Sequence, residues 1–384
     1  MSSIASVASA PSWSHKPSRA METQGPHISD LPVDALLEVF SRLPAADLTQ
    51  GVTGVCRAWR DFAMEPAAWR SRRVQVAPRK HRPLTAAERR VLRRAPALRA
   101  LAVSLRRAQD LPDKLSTMLP ICEQLRELQL SLPCLSADMA EDAVRHWPRL
   151  QQLRVEALIL QENSLERLGE LGQLRGLQLA TLQPAGTFWG PLRRAIQQGF
   201  PSLRSLHLDA RCDTDSTANM DETVGVILGT ADRLAHLRLG VLVPADKRLL
   251  AAAGQCDRLQ SLHVEDCTAM TDAGLLCLAG LRLQSLTLLH ARDVSTAALQ
   301  HFLRVADLSL LRHLDLSGCP ALTDRVVHLI AARCSHPPTL VAADCPNISR
   351  QALPPVVGNS SAPCTVAATA RVMLATPARP LGVV

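Results

Sequence analysis

"LQSLHVEDCTAMTDAGLLCLAGL" runs from Leu259 to Leu281, and "LRHLDLSGCPALTDRVVHLIAARC" from Leu311 to Cys334. The two lie over each other from the first leucine to the threonine–aspartate pair. In both, the second and third apolar positions (Leu262 and Val264, Leu314 and Leu316) stand two apart, the spacing that sends side chains to one face of a strand. Thr271-Asp272 and Thr323-Asp324 then open stretches whose apolar residues, Leu275 with Leu278 and Val327 with Ile330, fall at helical spacing. Ser295 opens a third such stretch with Leu299 and Phe302. A strand followed by a helix, written more than once, predicts a repeated unit.

Working outward, the pattern recurs from Leu98-Leu101-Val103, Leu125-Leu128-Leu130, Leu150-Leu153-Val155 and Leu174-Leu177-Leu179 through Leu203-Leu206-Leu208 and Leu234-Leu237-Leu239. It continues at Leu259, Leu283 and Leu311, with a degenerate copy at Pro337-Leu340-Ala342, and the starts are 24 to 31 residues apart. One such unit cannot bury its apolar side alone, but stacked units share a core. The strands are expected to line the inner face of an arc and the helices its outer face. Cys267, Cys319 and Cys345 fall eight residues after a repeat start; Cys122, Cys256 and Cys334 fall three before one. That is how small buried thiols behave. With no C-x-x-C in the chain, no metal site is expected. These units resemble the cysteine-containing class of leucine-rich repeat. The resemblance implies an α/β solenoid, a horseshoe of about ten repeats over residues 98–353. It is a class typical of F-box proteins.

Ahead of the repeats, residues 28–73 read "ISDLPVDALLEVFSRLPAADLTQGVTGVCRAWRDFAMEPAAWRSRR". Asp30 can cap a first helix, Pro32 suits its opening turn, and Leu36, Val39, Phe40 and Leu43 form one stripe. Pro44 stops it. Asp47 opens a second helix with Leu48, Val52 and Val55 in register, weakened by Gly51 and Gly54. Trp59 and Phe62 mark a third, ended near Pro66, and Trp69 is expected to pack this module onto the first repeat. So short a cluster with surplus apolar residues suggests a partner that completes it. The stretch resembles the F-box in the order and spacing of Leu31-Pro32, Leu36, Phe40, Leu43, Asp47-Leu48, Val55-Cys56-Arg57, Trp59-Arg60 and Trp69. In that family the F-box docks on a Skp-type adaptor that links it to a cullin–RING ubiquitin ligase. The resemblance thereby implies Leu31, Pro32, Leu36, Val39, Phe40, Leu43, Leu48, Val55 and Trp59 as adaptor-facing residues, some of which could instead be internal core.

Composition agrees with an aliphatic core. Of 384 residues 47% are hydrophobic but only 3% aromatic, with no tyrosine. No stretch of about 18 uncharged apolar residues occurs, so no membrane partner is expected. Eleven cysteines without a secretory leader suit a reducing compartment, cytoplasmic or nuclear. Residues 1–26 and 354–384 are expected as disordered tails, 27–73 as the F-box and 74–97 as a basic connector and solenoid cap. The net charge of +8 is uneven: residues 70–107 hold thirteen basic residues and one acid, Glu88. Either this block meets an acidic partner, nucleic acid or the import machinery, or it is a solvated connector. Nucleic acid is not the expected partner.

No catalytic motif is present, so the chain is expected to be non-catalytic and to need no cofactor. Recognition is placed on the inner strands, where Gln129, Arg154, Gln178, His207, Arg238, His263, Thr287 and Asp315 point out of the arc. A substrate patch is centred on Arg154, His207, Arg238 and His263, flanked by Glu156, Asp209 and Glu265. The alternative is a solvated strand face with the true site on a loop or an end. Two longer segments, 180–202 with Phe188, Trp189 and Phe200, and 209–233 with Asp213, Asp215, Asp221 and Glu222, are candidates for such a loop. The expected function is substrate recognition within an SCF-type (Skp–cullin–F-box) ubiquitin ligase, holding an unidentified protein for ubiquitination and degradation. The alternative is a non-degradative scaffolding member of the same family.

Overall fold

The structure, a computed structural model, describes residues 28, 31–44, 47–69, 73–76, 98–105, 111, 113–117, 124–161, 163–182, 188–210, 217–240, 245–334, 338–349 and 352. Every repeat start that lies within them leads into a strand. Eleven strands form one sheet in strict sequence order: β1 (Arg73–Val76), β2 (Ala100–Ser104), β3 (Glu127–Leu135), β4 (Gln152–Leu160), β5 (Gly176–Thr181), β6 (Ser205–Ala210), β7 (His236–Leu239), β8 (Ser261–Val264), β9 (Ser285–Leu288), β10 (His313–Asp315) and β11 (Thr339–Val341). Every neighbouring pair is parallel. Parallel neighbours need a crossover, and helices supply it from Ala137–His146 onward to Asp324–Arg333, each packed on the next. The chain is an α/β solenoid.

The leucines explain the stacking. Leu203, Leu206 and Leu208, and likewise Leu234, Leu237 and Leu239, are all 1% exposed or less. At about 1.5–3 kcal/mol for each fully buried aliphatic side chain, one repeat gains most of its stability only when its neighbours close over it. The cluster runs unbroken from Phe40 to Leu340. Helices start where the sequence places a cap: Ser136, Thr271 and Ser295 accept from the backbone N–H three residues on, at 3.1, 3.4 and 3.1 Å. Thr323 does not cap with its side chain.

A second device ties repeat to repeat. Asp272, opening one helix, accepts from the backbone N–H and hydroxyl of Ser295, which opens the next, both at 2.7 Å. Asp324 accepts from Ser349 N–H at 2.7 Å, and Asp142 from Ser116 N–H and hydroxyl at 2.6 and 2.9 Å. These bonds hold the carboxyls of Asp272 and Asp324 below the usual range, the Ser295 N–H and the Ser349 hydroxyl being the largest causes.

Several expectations need correcting. The sheet does not begin at 98: Arg73–Val76 already pairs with Ala100–Ser104, so a strand lies across the expected boundary of F-box and connector. The segment 180–202, expected as a candidate loop, is largely helical over its described residues. It carries the helix Trp189–Gln198, and Phe188, Trp189 and Phe200 are core at 1% exposed or less. The segment 209–233 likewise holds the helix Thr217–Leu228, with Asp221 paired to Arg248 and Glu222 to Arg193. Asp30, Cys122, Asp213, Asp215, Pro337, both tails and residues 77–97 of the basic block lie outside the described residues.

Candidate functional site

Two surfaces stand out, one at each end of the sequence argument. The first belongs to the amino-terminal helices. Val33–Arg42 follows Pro32, and Arg57–Met64 follows Cys56, whose sulfur accepts from Trp59 N–H at 3.4 Å. Between them Leu48–Val52 forms a wide π-type turn running into Thr53–Val55. A fourth helical turn, Pro66–Trp69, was not expected. Trp69 is fully buried in the core that continues into the repeats, and its Nε1 donates to Ala63 O at 2.8 Å.

Burial divides the nine expected adaptor residues. Leu36 (3% exposed), Phe40 (1%) and Leu48 (0%) face inward, and Phe40 meets Trp59 edge-on at 5.2 Å. As the chain stands these three pack into the domain's core, the alternative left open for some of the nine. The stripe reading fails there because Val39 leaves it, and the π-type turn takes Val55 off the face of Leu48 and Val52. Leu31 (41%), Val39 (41%) and Val55 (61%) are exposed with Pro32, while Leu43 and Trp59 are half-buried. Ile28 (44%) and Val33 (46%) are exposed as well; sequence reasoning passed over them because they lie off the helical stripe.

The second surface is the inner face of the sheet. Register brings Gln129, Arg154, Gln178, His207, Arg238, His263, Thr287 and Asp315 into one row across β3 to β10. Arg154, His207, Arg238 and His263 all line a groove of about 630 Å³. His207 and His263 are separated by Arg238, and among the described residues no cluster of three or more His, Cys, Asp or Glu could hold a metal ion. Beyond this row, at the ends of β4 and β5, the face turns apolar with exposed Leu158 and Leu182.

Charge in the groove is balanced internally. Arg154 Nε donates to Glu156 Oε1 at 2.7 Å, and Arg238 Nε to Glu265 Oε1 at 3.0 Å. His263 Nε2 lies 3.4 Å from the same Glu265 oxygen. The His263 imidazole first, then Arg238, hold the Glu265 carboxyl at about 2 against the opposing effect of burial. Burial, then the Arg238 charge, lowers His207 to about 4, so at neutral pH this imidazole is uncharged. Gly240 makes room for the carboxyl of Asp209, since a Cβ there would come within 2.5 Å of its Cγ. The face therefore offers alternating polar groups with no surplus positive charge.

The thiols sit in the core. Burial pushes Cys256 up to about 11 and Cys267 higher still, leaving both protonated at neutral pH and poor nucleophiles. Cys56 is exposed. Among the described residues no helix is long and apolar enough to cross a membrane.

Comparison with known proteins agrees with this division. The F-box-like family model matches residues 28–75, so the chain carries an F-box-like domain at its amino terminus. The chain is similar to F-box only protein 17 of Rattus norvegicus, with 39% identity over 56 residues, 14% of this chain and 22% of the rat protein. The chain thus spans about a fifth of that relative's length. Among solved structures, a chain of the Rad7 and Elc1 complex in yeast superposes with a TM-score of 0.51 at 14% identity, covering 84% of this chain and 76% of that one. The two share a fold.

Proposed function

We propose that this chain is the substrate-recognition subunit of an SCF-type ubiquitin ligase. Its F-box-like domain docks a Skp-type adaptor, and through it a cullin–RING ligase, while the repeats hold a protein destined for ubiquitination. The observation that carries this reading is the exposure of three apolar side chains, Leu31, Val39 and Val55, over a closed core within the F-box-like match. Several exposed large apolar side chains on so small a domain point to an interaction site. The chain of the Rad7 and Elc1 complex that shares this fold was solved together with a partner, which fits a receptor working in a complex. The repeats, read as the cysteine-containing leucine-rich class over about ten units, would act by proximity and orientation and do no chemistry themselves.

The parts assigned are Leu31, Pro32, Val39, Leu43, Val55 and Trp59 toward the adaptor, with Leu36, Phe40 and Leu48 supporting them from inside. Arg154, His207, Arg238 and His263 belong to the substrate face. The reading is tested by co-expressing the full chain with a Skp-type adaptor and following proteins captured by the chain. A one-to-one complex, together with captured proteins that accumulate when the chain is depleted, supports it. A complex without accumulation would point to scaffolding.

A further inference from the structure

A row of arginines lies at the edge where the strands begin, outside the inner face. The repeats of β5, β6 and β10 bring an arginine to that edge immediately before the strand (Arg175, Arg204, Arg312). Those of β7, β8 and β9 bring one three places ahead (Arg233, Arg258, Arg282). Backbone bonds keep these rows stacked: Arg204 N–H donates to Arg175 O, and Gln284 N–H to Gln260 O, both at 2.8 Å. Neighbouring strands are about 4.8 Å apart, so the guanidinium groups recur along the edge at near-strand intervals.

Five of these arginines, all but Arg312, line one groove of about 520 Å³, in which Asp257 is the acid. They are not equivalent. Arg233 is a brace, donating to Phe200 O at 3.3 Å and Gly229 O at 2.8 Å and lying 3.3 Å from Asp232. Arg282 meets Asp307 at 3.2 Å, an exposed pair that solvent weakens. Arg175, Arg204 and Arg258 are exposed and make no ion pair among the described residues. Arginine presents a planar fork suited to carboxylate and phosphoryl oxygens.

We propose that this groove binds an anionic peptide segment, its carboxylate or phosphoryl groups held by Arg175, Arg204 and Arg258. A peptide fits better than a nucleic acid strand, because single strands bind on stacked aromatic rings and no ring lines the groove. In place of rings it offers exposed Leu310 for an apolar side chain, and the amides of Gln260 and Gln284 for a peptide backbone. Under the proposed receptor role, on which this step rests, the segment belongs to the substrate.

Fluorescence anisotropy on the full chain tests this with four labelled probes of equal length: a Glu-rich peptide, its phosphoserine version, its Gln-for-Glu version, and a single-stranded DNA oligonucleotide. Both anionic peptides are expected to bind in a salt-sensitive way and the Gln version not to bind; the tighter of the two names the anion. Arg175→Glu, Arg204→Glu and Arg258→Glu together should weaken binding by about tenfold or more. Arg292→Glu, Arg304→Glu and Arg325→Glu, an equal charge change elsewhere, should leave it within about twofold if the effect is local, because screening confines surface charge to about 10 Å. Thermal melts of both variants check that the fold is kept. Equal losses in the two variants, equal binding of the Gln peptide, or an oligonucleotide that displaces the peptides would each overturn the proposal. Adaptor binding by the same preparations, measured separately, is expected to be unchanged, so this groove and the receptor role fail independently.

Discussion

At the scale of single residues, burial decides which side chain serves the fold and which a partner. Val39 and Phe40 are neighbours on one helix, yet one is 41% exposed and the other 1%. Truncating the inward group should cost stability: about 2–5 kcal/mol for Leu36→Ala and about 3–5 kcal/mol for Phe40→Ala, read as a lowered denaturation midpoint. Val39→Asp with Val55→Asp should leave that midpoint nearly unchanged. His207 carries the clearest pH signature. Held near 4 by burial and Arg238 against an ordinary 6.5, it stays neutral in the folded chain while the unfolded chain takes up the proton. Its contribution is complete above about pH 6.5 and is lost as pH falls toward 4. Glu265, held near 2 by His263 and Arg238 against an ordinary 4.5, adds a further loss below 4.5. NMR titration of the His207 ring should show a protonation midpoint near pH 4; a midpoint near 6.5 would contradict the geometry. The identity of the inner row was legible in the sequence, since alternation fixes which residue faces out of a strand. Its charge state was only half legible: Arg154 meets Glu156 two places along its own strand, but Arg238 finds Glu265 only through the three-dimensional register.

At the scale of elements, the repeat is a strand, a capped helix and a tie to its neighbour. The caps at Thr271 and Ser295 were readable from residue type and spacing. The ties were not, because they cross 23 to 26 residues of sequence, as between Asp272 and Ser295 or Ser116 and Asp142. Asp142 is 5% exposed and also lies 3.4 Å from His146. Asp142→Ala should therefore lower the stability of the first repeats by about 1–3 kcal/mol, the cost of leaving buried hydrogen-bond partners unmatched. Hydrogen exchange should locate the loosening around Ser116 and the helix Ala137–His146. Uniform loosening along the whole solenoid would count against a local tie. The second F-box helix shows the limit of periodic reading: two glycines and a π-type turn break the 3.6-residue rhythm, and Val55 leaves the buried face. The long segments 180–202 and 209–233 misled for a related reason, since length alone does not separate a loop from a helical crossover.

At the scale of the whole molecule, a small helical domain with exposed apolar side chains is joined through one continuous core to a parallel-sheet solenoid. That order of parts was legible because leucines at a fixed period and a dense F-box pattern are carried by the sequence itself. The division of charge between a neutral inner face and an arginine edge was not, because it depends on which carboxylates fold back onto which arginines. The account's central claim is that adaptor docking uses Leu31, Val39 and Val55. It is tested most directly by titrating a Skp-type adaptor into the full chain, its Val39→Asp, Val55→Asp variant, and a control carrying Val305→Asp and Leu310→Asp on the repeats. The account predicts a one-to-one complex with the wild-type chain and the control, and loss of binding by about a hundredfold or more in the F-box variant, as hot-spot residues at an interface centre give. Undiminished binding by the Val39→Asp, Val55→Asp variant, with its fold intact, would contradict it.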